Sequence, residues 1–283
     1  MSDDWFEETL YPGVHSRLRI DRLLYQGDSE HQRLELFEND RFGRVLTLNG
    51  VVQTTEADEF IYHEMLTHVP VLAHGQAREV MVIGGGDGGM IEEVLKHRTV
   101  SRVTLVEIDA GVIEFSKKYL GAICGDAFDD PRTSIVIADG LFHAETTHDR
   151  YDVIIVDSTD PIGPGEALFS DRFYRACRRC LAPGGVMVTQ NGVPFMQPGE
   201  LAKSVAAMRA LFADAGCYLA AVPTYMGGSM AFGWATDDTA LRTTGLPLLE
   251  SRFEDASIET RYYCPSVHQA AFALPRYVQD LIG

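Results

Sequence analysis

Five acidic residues stand where the chain would leave predicted β-strands. Each follows a short apolar run, and the five are Asp87, Glu107, Asp139, Asp157 and Asp160. In an open α/β sheet, ligands bind beyond the carboxyl ends of the parallel strands. Carboxylates at that edge can accept hydrogen bonds, hold cations and act as general bases. Any one of them could instead cap the following helix, but five in the same register favour a binding site.

A glycine-rich turn carries the first of these acids. The apolar run Val80–Ile83 leads into five glycines with Asp87 among them, and a helical pattern begins at Met90. Glycines allow a tight turn that approaches a ligand closely, and the helix start offers free N–H groups. Gly84, Gly86 and Gly89 match the G-x-G-x-x-G spacing of nucleotide-binding folds. That match is weak by itself, so Asp87 is the informative residue.

The spacing of the other acids indicates an adenosyl ligand. Glu107 follows Gly89 by 18 residues, where a carboxylate can accept both ribose hydroxyls, and Asp139 with Gly140 suits an adenine amino group. A phosphate roughly 4 Å from Asp87 in a partly buried site would be repelled by this carboxylate, at a cost of several kcal/mol. The carboxylate of ordinary S-adenosylmethionine would also lie near Asp87. Decarboxylated S-adenosylmethionine therefore fits best, with Asp87 holding its ammonium group.

The secondary-structure pattern predicts two domains, residues 1–55 and 56–283. The first shows alternating strand patterns and an Asn49-Gly50 hairpin signal, which predict a small antiparallel β domain. From Glu79 strands alternate with helices, which predicts a Rossmann-like (methyltransferase-type), doubly wound α/β sheet. Between the β domain and the first strand of this sheet we predict a helix that begins at Glu59 and ends at Pro70. The later elements are predicted as helices over 173–181 and 201–215, an antiparallel strand pair over 218–222 and 230–235, and a broken helical tail over 267–282.

Composition narrows the class of protein. The 283 residues carry a formal net charge of −17, which argues against nucleic acid or an anionic membrane as the main partner. No apolar run approaches the length of a membrane span, and the acidic N-terminus lacks a signal-peptide pattern. Five cysteines suit reduced thiols, and Cys177 with Cys180 is expected to be a pair of buried helix residues. We therefore expect a cytoplasmic enzyme that needs no metal.

Over essentially its whole length, the sequence resembles the spermidine synthases, which are polyamine aminopropyltransferases. The segments that carry the resemblance are 43–56, 58–65, 84–89, 106–109, 157–164 and 223–225. The resemblance implies an N-terminal β domain, a Rossmann-like catalytic domain and a homodimer or homotetramer. It also implies transfer of an aminopropyl group from decarboxylated S-adenosylmethionine, as a co-substrate, to putrescine, releasing methylthioadenosine without a cofactor.

The resemblance also implies a role for each matching residue. Asp157 matches the general base, Asp87 the acid that holds the aminopropyl ammonium, and Glu107 the ribose ligand. The remaining matches are Asp139 and Gly140 at the adenine, Gln32 and Pro164 elsewhere on the nucleoside, and Tyr62, His63, Asp160 and Tyr225 at the acceptor amine. Position 63 is Gln in some members of the family.

Two other functions remain open at this point. One is an S-adenosylmethionine-dependent methyltransferase on the same fold, and the other is a protein that binds polyamines or methylthioadenosine without catalysis. Asp87, Asp157 and Asp160 favour a dication over a zwitterion, and an intact Asp157 with two tyrosines favours catalysis. The sequence leaves the acceptor open among putrescine, cadaverine, longer diamines and spermidine.

Overall fold

A computed structural model describes residues 4–161 and 165–283, together with the backbone of residues 163 and 164. The N-terminal part contains two antiparallel sheets. The first pairs β1 (Trp5–Glu8) with β2 (Ser16–Arg19), and the second has the order β3 (Arg22–Asp28), β4 (Arg33–Asn39), β5 (Gly43–Leu48) and β6 (Val51–Thr55). Asn49 and Gly50 both have positive φ, 50° and 79°, as a two-residue hairpin turn requires. The predicted hairpin is therefore confirmed.

The main sheet has seven strands. They are β7 (Glu79–Gly84), β8 (Arg102–Glu107), β9 (Thr133–Ile137), β10 (Tyr151–Asp157), β11 (Leu181–Gln190), β12 (Asp214–Ala220) and β13 (Met230–Thr236). Their order is β12-β13-β11-β10-β7-β8-β9, with β13 antiparallel to both of its neighbours and the pairs from β11 to β9 parallel. The predicted Rossmann-like, methyltransferase-type fold is confirmed.

Helices cover both faces of this sheet. They are α1 (Glu59–His74), α2 (Gly89–Lys96), α3 (Ala110–Tyr119), α4 (Gly121–Cys124), α5 (Gly140–Thr146), α6 (Asp171–Cys180), α7 (Pro198–Arg209), α8 (Leu246–Ala256), α9 (Pro265–Ala271) and α10 (Arg276–Ile282). Alternate residues of β7 pack on opposite faces, Val80 and Val82 in one core and Met81 and Ile83 in the other. Among the described residues, no helix is long and apolar enough to cross a membrane.

Two helix ends differ from the prediction. Helix α1 continues through Pro70 to His74, because Val71, Leu72 and Ala73 are all buried and their packing outweighs the roughly 3 kcal/mol cost of an internal proline. Helix α7 ends at Arg209 rather than near Ala215, since the chain from Asp214 pairs with β13. Helix α8 was not predicted. Cys177 and Cys180 are buried on α6, as expected.

The N-terminal sheet is joined to the main domain by an apolar cluster. Leucines of β4 and β5 pack against α3 and the turn after it, and the cluster consists of Leu34, Leu36, Leu46, Leu48, Val112, Phe115, Leu120 and Ile123. This packing places β6 beside the carboxyl ends of β7 and β10, where the cavity described next is found.

Candidate active site

A cavity of about 330 Å³ opens at the carboxyl ends of the central parallel strands. Ten of the predicted site residues line it: Gln32, Tyr62, His63, Asp87, Glu107, Asp139, Gly140, Asp157, Asp160 and Tyr225. The side chain of Pro164, the eleventh, lies outside the described part of the structure. The fold therefore brings together side chains from β6, α1, the glycine-rich turn and the strand ends, while their individual roles remain predictions.

The glycine-rich turn lies directly against the end of β10. Gly84 has φ of +81°, and a Cβ there would lie 2.0 Å from the carbonyl oxygen of Asp157. The N–H of Gly85 donates to that same oxygen at 3.0 Å. A side chain at Gly84 would push the two strand ends apart, so the glycine is needed to hold Asp87 and Asp157 at one site.

Asp87 is held between the helix start and His63. Its Oδ1 accepts the Gly89 N–H at 3.1 Å, and its Oδ2 lies 3.4 Å from His63 Nε2. The other ring nitrogen, His63 Nδ1, lies 2.7 Å from Glu59 Oε2. Burial would raise the pKa of Asp87, but the charge and hydrogen bonds of His63 lower it below its usual value. Burial would lower the pKa of His63, but Asp87 and Glu59 raise it well above its usual value, which favours the imidazolium form.

Asp157 accepts a hydrogen bond from the Tyr62 hydroxyl at 2.7 Å. Loss of solvent around the carboxyl group, and then the negative charge of Asp87, raise the pKa of Asp157 to about 6. Burial and the charge of Asp157 raise the pKa of Tyr62 well above its usual value, so the phenol remains a donor. A carboxylate that is ionised near neutral pH but easier to protonate than usual is suited to accept a proton.

Tyr225 stands across from Tyr62. The two rings meet edge to face at 6.0 Å, and the Tyr225 hydroxyl donates to the Gln53 carbonyl at 2.5 Å. Asp58 supports this loop, since its Oδ2 accepts the Thr224 N–H at 2.8 Å. Sequence reasoning missed Asp58. It stands immediately before α1, but it makes no side-chain cap bond there.

The second strand end supplies Glu107. Its Oε1 accepts the Asp109 N–H at 3.0 Å, and its Oε2 lies beneath Gly86, where a Cβ would be 2.9 Å away. Burial is the largest cause that raises the pKa of Glu107 to about 7. Gly86 therefore leaves open the space above this carboxylate, as a ribose ligand requires.

Asp139 and Gln32, which are predicted to contact the adenine and another part of the nucleoside, each take part in a hydrogen bond within the protein. Asp139 Oδ1 accepts the Phe142 N–H at 2.7 Å, so it caps α5 while it lines the cavity. The capping interpretation is therefore confirmed, and the adenine contact stays a prediction. Gln32 Nε2 lies 3.4 Å from Asp109 Oδ2, which connects the turn before β4 to the residues that follow β8.

The far end of the cavity lies beyond Asp160. Asp160 Oδ1 is 3.5 Å from Gln190 Nε2, and burial raises the pKa of Asp160. Sequence reasoning missed Gln190, Gln197 and Tyr11 here, because nothing local distinguishes them from other polar residues. The cavity thus continues past Asp160, toward the N-terminal sheets.

Within the part of the chain that the structure describes, one trio of side chains is spaced closely enough for a metal ion. Atoms of His63, Asp87 and Asp157 all lie within 4.8 Å of one another. His63 meets a carboxylate at each ring nitrogen, which favours the imidazolium, and an imidazolium has no lone pair for a metal. The same spacing suits a substrate ammonium group.

Comparison with known proteins identifies the family. The family model described as spermine/spermidine synthase domain matches residues 59–244, and the one described as spermidine synthase tetramerisation domain matches residues 4–56. The chain is 57% identical to polyamine aminopropyltransferase 1 of Pseudomonas aeruginosa, over 100% of this chain and 98% of that protein. It is also 57% identical to the polyamine aminopropyltransferase of a Ruegeria species, over 98% of each.

Solved structures agree with this assignment. A spermidine synthase in complex with the transition state analogue AdoDATO has a TM-score of 0.94 and 37% identity, covering 100% of this chain and 96% of that one. The spermidine synthase from Thermotoga maritima has a TM-score of 0.91 and 36% identity, covering 100% and 95%. The chain belongs to the spermidine synthase family of polyamine aminopropyltransferases.

Proposed function

We propose that this enzyme transfers an aminopropyl group from decarboxylated S-adenosylmethionine to putrescine, giving spermidine and methylthioadenosine, with Asp157 as general base. The observation that carries the proposal is the meeting of Asp87 and Asp157 in one cavity, beside a carboxylate placed for ribose and two facing tyrosines. The relative solved with a transition state analogue supports it.

The donor would lie with its nucleoside toward Glu107 and Asp139 and its aminopropyl chain toward Asp87. A carboxylate on the donor would meet the negative charge of Asp87, whose side chain is only 14% exposed, while an ammonium would be attracted to it. This difference favours the decarboxylated form over ordinary S-adenosylmethionine.

The acceptor must lose a proton before it can attack. An alkylamine has a pKa of about 10, so only about one molecule in several hundred is the free base near pH 7.5. Asp157 would accept a proton from the acceptor nitrogen, whose lone pair then forms a bond to the carbon beside the sulfonium. The carbon–sulfur bond breaks, its electron pair stays on sulfur, and methylthioadenosine leaves as a neutral molecule.

Positioning would supply much of the remaining rate enhancement, because donor and acceptor are both cations. Tyr62 and Tyr225 present an aromatic edge and face to the acceptor methylenes, and aromatic faces attract cations. Asp160 would hold or balance the charge of the acceptor at the far side. No cofactor or metal is required by this chemistry.

We further propose that the enzyme acts in the cytoplasm as a homodimer or homotetramer. The match of residues 4–56 to a tetramerisation domain supports assembly, and Trp5 and Leu23 of these sheets are 47% and 50% exposed. Cys124, Cys177, Cys180, Cys217 and Cys264 are free thiols, which suits a reducing compartment.

The test is an assay of methylthioadenosine release from decarboxylated S-adenosylmethionine with a panel of amines. We expect release that depends on putrescine, with weaker use of cadaverine and spermidine. Methyl transfer from ordinary S-adenosylmethionine, without release from the decarboxylated donor, would contradict the interpretation of Asp87. Efficient release with another amine and none with putrescine would overturn the acceptor alone.

A further inference from the structure

The proposed reaction gives a role to Asp87, but none to Glu59 or to the contacts of the His63 ring with these two carboxylates. The side chain of His63 is only 3% exposed, yet both ring nitrogens meet carboxylates, Glu59 at 2.7 Å and Asp87 at 3.4 Å. Gly89 lies against the ring, where a Cβ would be 2.3 Å from His63 Cε1. The ring is thus held on three sides, by Glu59, Asp87 and Gly89.

The groups that face His63 are acidic on every element packed against it. Glu59 faces it from α1, Asp87 from the glycine-rich turn and Asp157 from the end of β10. On α2, the charge of Glu93 also acts on His63, from a position in contact with Lys96. In the empty enzyme, the imidazolium of His63 is therefore the counter-ion of Asp87. A donor ammonium at Asp87 must compete with that imidazolium, and the donor brings a second positive charge in its sulfonium.

We propose that Glu59, His63 and Asp87 form a proton-exchange relay, in which the donor's ammonium group replaces the proton of His63. On binding, the N–H bond at His63 Nε2 breaks and the proton passes to solvent through the cavity. The Nδ1–H remains hydrogen-bonded to Glu59, which selects this tautomer. The lone pair left on Nε2 and the Asp87 carboxylate then both accept N–H bonds from the donor ammonium. This inference rests on the proposed function, since it assumes that the donor's ammonium binds at Asp87.

In this relay Glu59 and His63 are positioning residues for donor recognition. A neutral ligand has no charge with which to displace the proton, so methylthioadenosine should leave His63 protonated. The relay therefore distinguishes substrate from product by the charge on the aminopropyl chain. It also predicts that donor affinity rises with pH while the His63 proton is being displaced, by up to about tenfold per pH unit.

Titration calorimetry at pH 7.5, in buffers with different ionisation enthalpies, measures the protons released on binding. We expect release of about one more proton per molecule with decarboxylated S-adenosylmethionine than with methylthioadenosine in the wild type. Because both ligands carry the ribose, any contribution from Glu107 is the same for both. His63→Gln should bind the donor and lose this extra proton, since it removes the imidazolium. Glu59→Gln should bind the donor and release a smaller fraction of the extra proton, since it removes one of the two carboxylates that raise the pKa of His63.

The matched control is His68→Gln, a second buried histidine on α1 that contacts His97 and does not line the cavity. It should release as many protons as the wild type. If the donor binds tightly and His63→Gln releases as many protons as the wild type, the relay is refuted and the proposed function stands. If the donor binds no more tightly than methylthioadenosine to the wild type, the ammonium site at Asp87, and with it the proposed function, fails first.

Discussion

Asp157→Asn provides the sharpest test of the mechanism. The amide has nearly the shape of the carboxylate, and its oxygen can still accept the Tyr62 hydrogen bond seen at 2.7 Å. What it cannot do is accept a proton. The substitution therefore separates the arrangement of the cavity from its chemistry.

The expected loss of rate is that of a general base, because the acceptor amine is almost wholly protonated near pH 7.5. Loss of a positioned general base costs roughly 10²- to 10⁴-fold in rate. We expect kcat/KM for putrescine at pH 7.5 to fall within this range, while affinity for methylthioadenosine changes by less than about threefold, because the nucleoside lies toward Glu107.

The pH profile should distinguish a lost base from a damaged site. Asp157 must be ionised to act, and its pKa is about 6, so wild-type turnover should fall as pH drops through 6 and level off above it. The variant depends on amine that ionises unaided. Its rate should therefore rise about tenfold per pH unit toward pH 10, narrowing the gap to the wild type.

The assay is methylthioadenosine release between pH 6 and 9, with nucleoside binding measured by calorimetry. Asp152→Asn, at the other end of β10, is the matched control and should retain nearly full turnover once its melting temperature has been checked. Near-normal turnover of Asp157→Asn at pH 7.5, or a variant rate that does not rise with pH, would refute the reasoning.

Four further outcomes are expected. Gly84→Ala should lower the melting temperature by several degrees and turnover by more than tenfold, because its Cβ would lie 2.0 Å from a backbone oxygen. The control is Gly184→Ala, since Gly184 has a similar φ of +79° but open space around it. A thermal scan that found equal effects for the two variants would count against a steric role for Gly84. Dialysis against a chelator should leave turnover unchanged; loss of activity restored by a divalent ion would show that a metal is used. Wild-type affinity for methylthioadenosine should decrease as pH falls through about 7, where Glu107 becomes protonated, whereas calorimetry of Glu107→Gln should show weaker and pH-independent binding. Burial lowers the pKa of His68 to about 3. Below about pH 6.5 the unfolded chain therefore binds a proton that the folded protein does not bind, and the free energy of unfolding should fall between pH 6.5 and 3. Urea titrations at pH 7.5 and 5 should show a smaller decrease in the free energy of unfolding for His68→Gln than for the wild type.

The sequence by itself determined those features that depend on neighbouring residues. The Asn49-Gly50 turn needs positive φ at two adjacent positions, and the strand-to-glycine transition before Asp87 is likewise local. The register of acids at strand ends could also be predicted, because parallel strands place their carboxyl ends at one edge. These local signals were sufficient for the fold class and for the acids that line the cavity at the strand ends.

Only the tertiary structure decided which side chains meet. Tyr62 and Asp157 are 95 residues apart and share a hydrogen bond because α1 packs against the sheet beside β10. The same packing carries α1 through Pro70 and brings Asp87 against His63, two outcomes that no local pattern indicated, whereas the Glu59–His63 pair follows from i,i+4 helical spacing. Local preferences are settled by a few adjacent residues, whereas the partners of a buried side chain are chosen by the whole core that closes around it, and this is why the protonation of His63 could be inferred only from the folded protein.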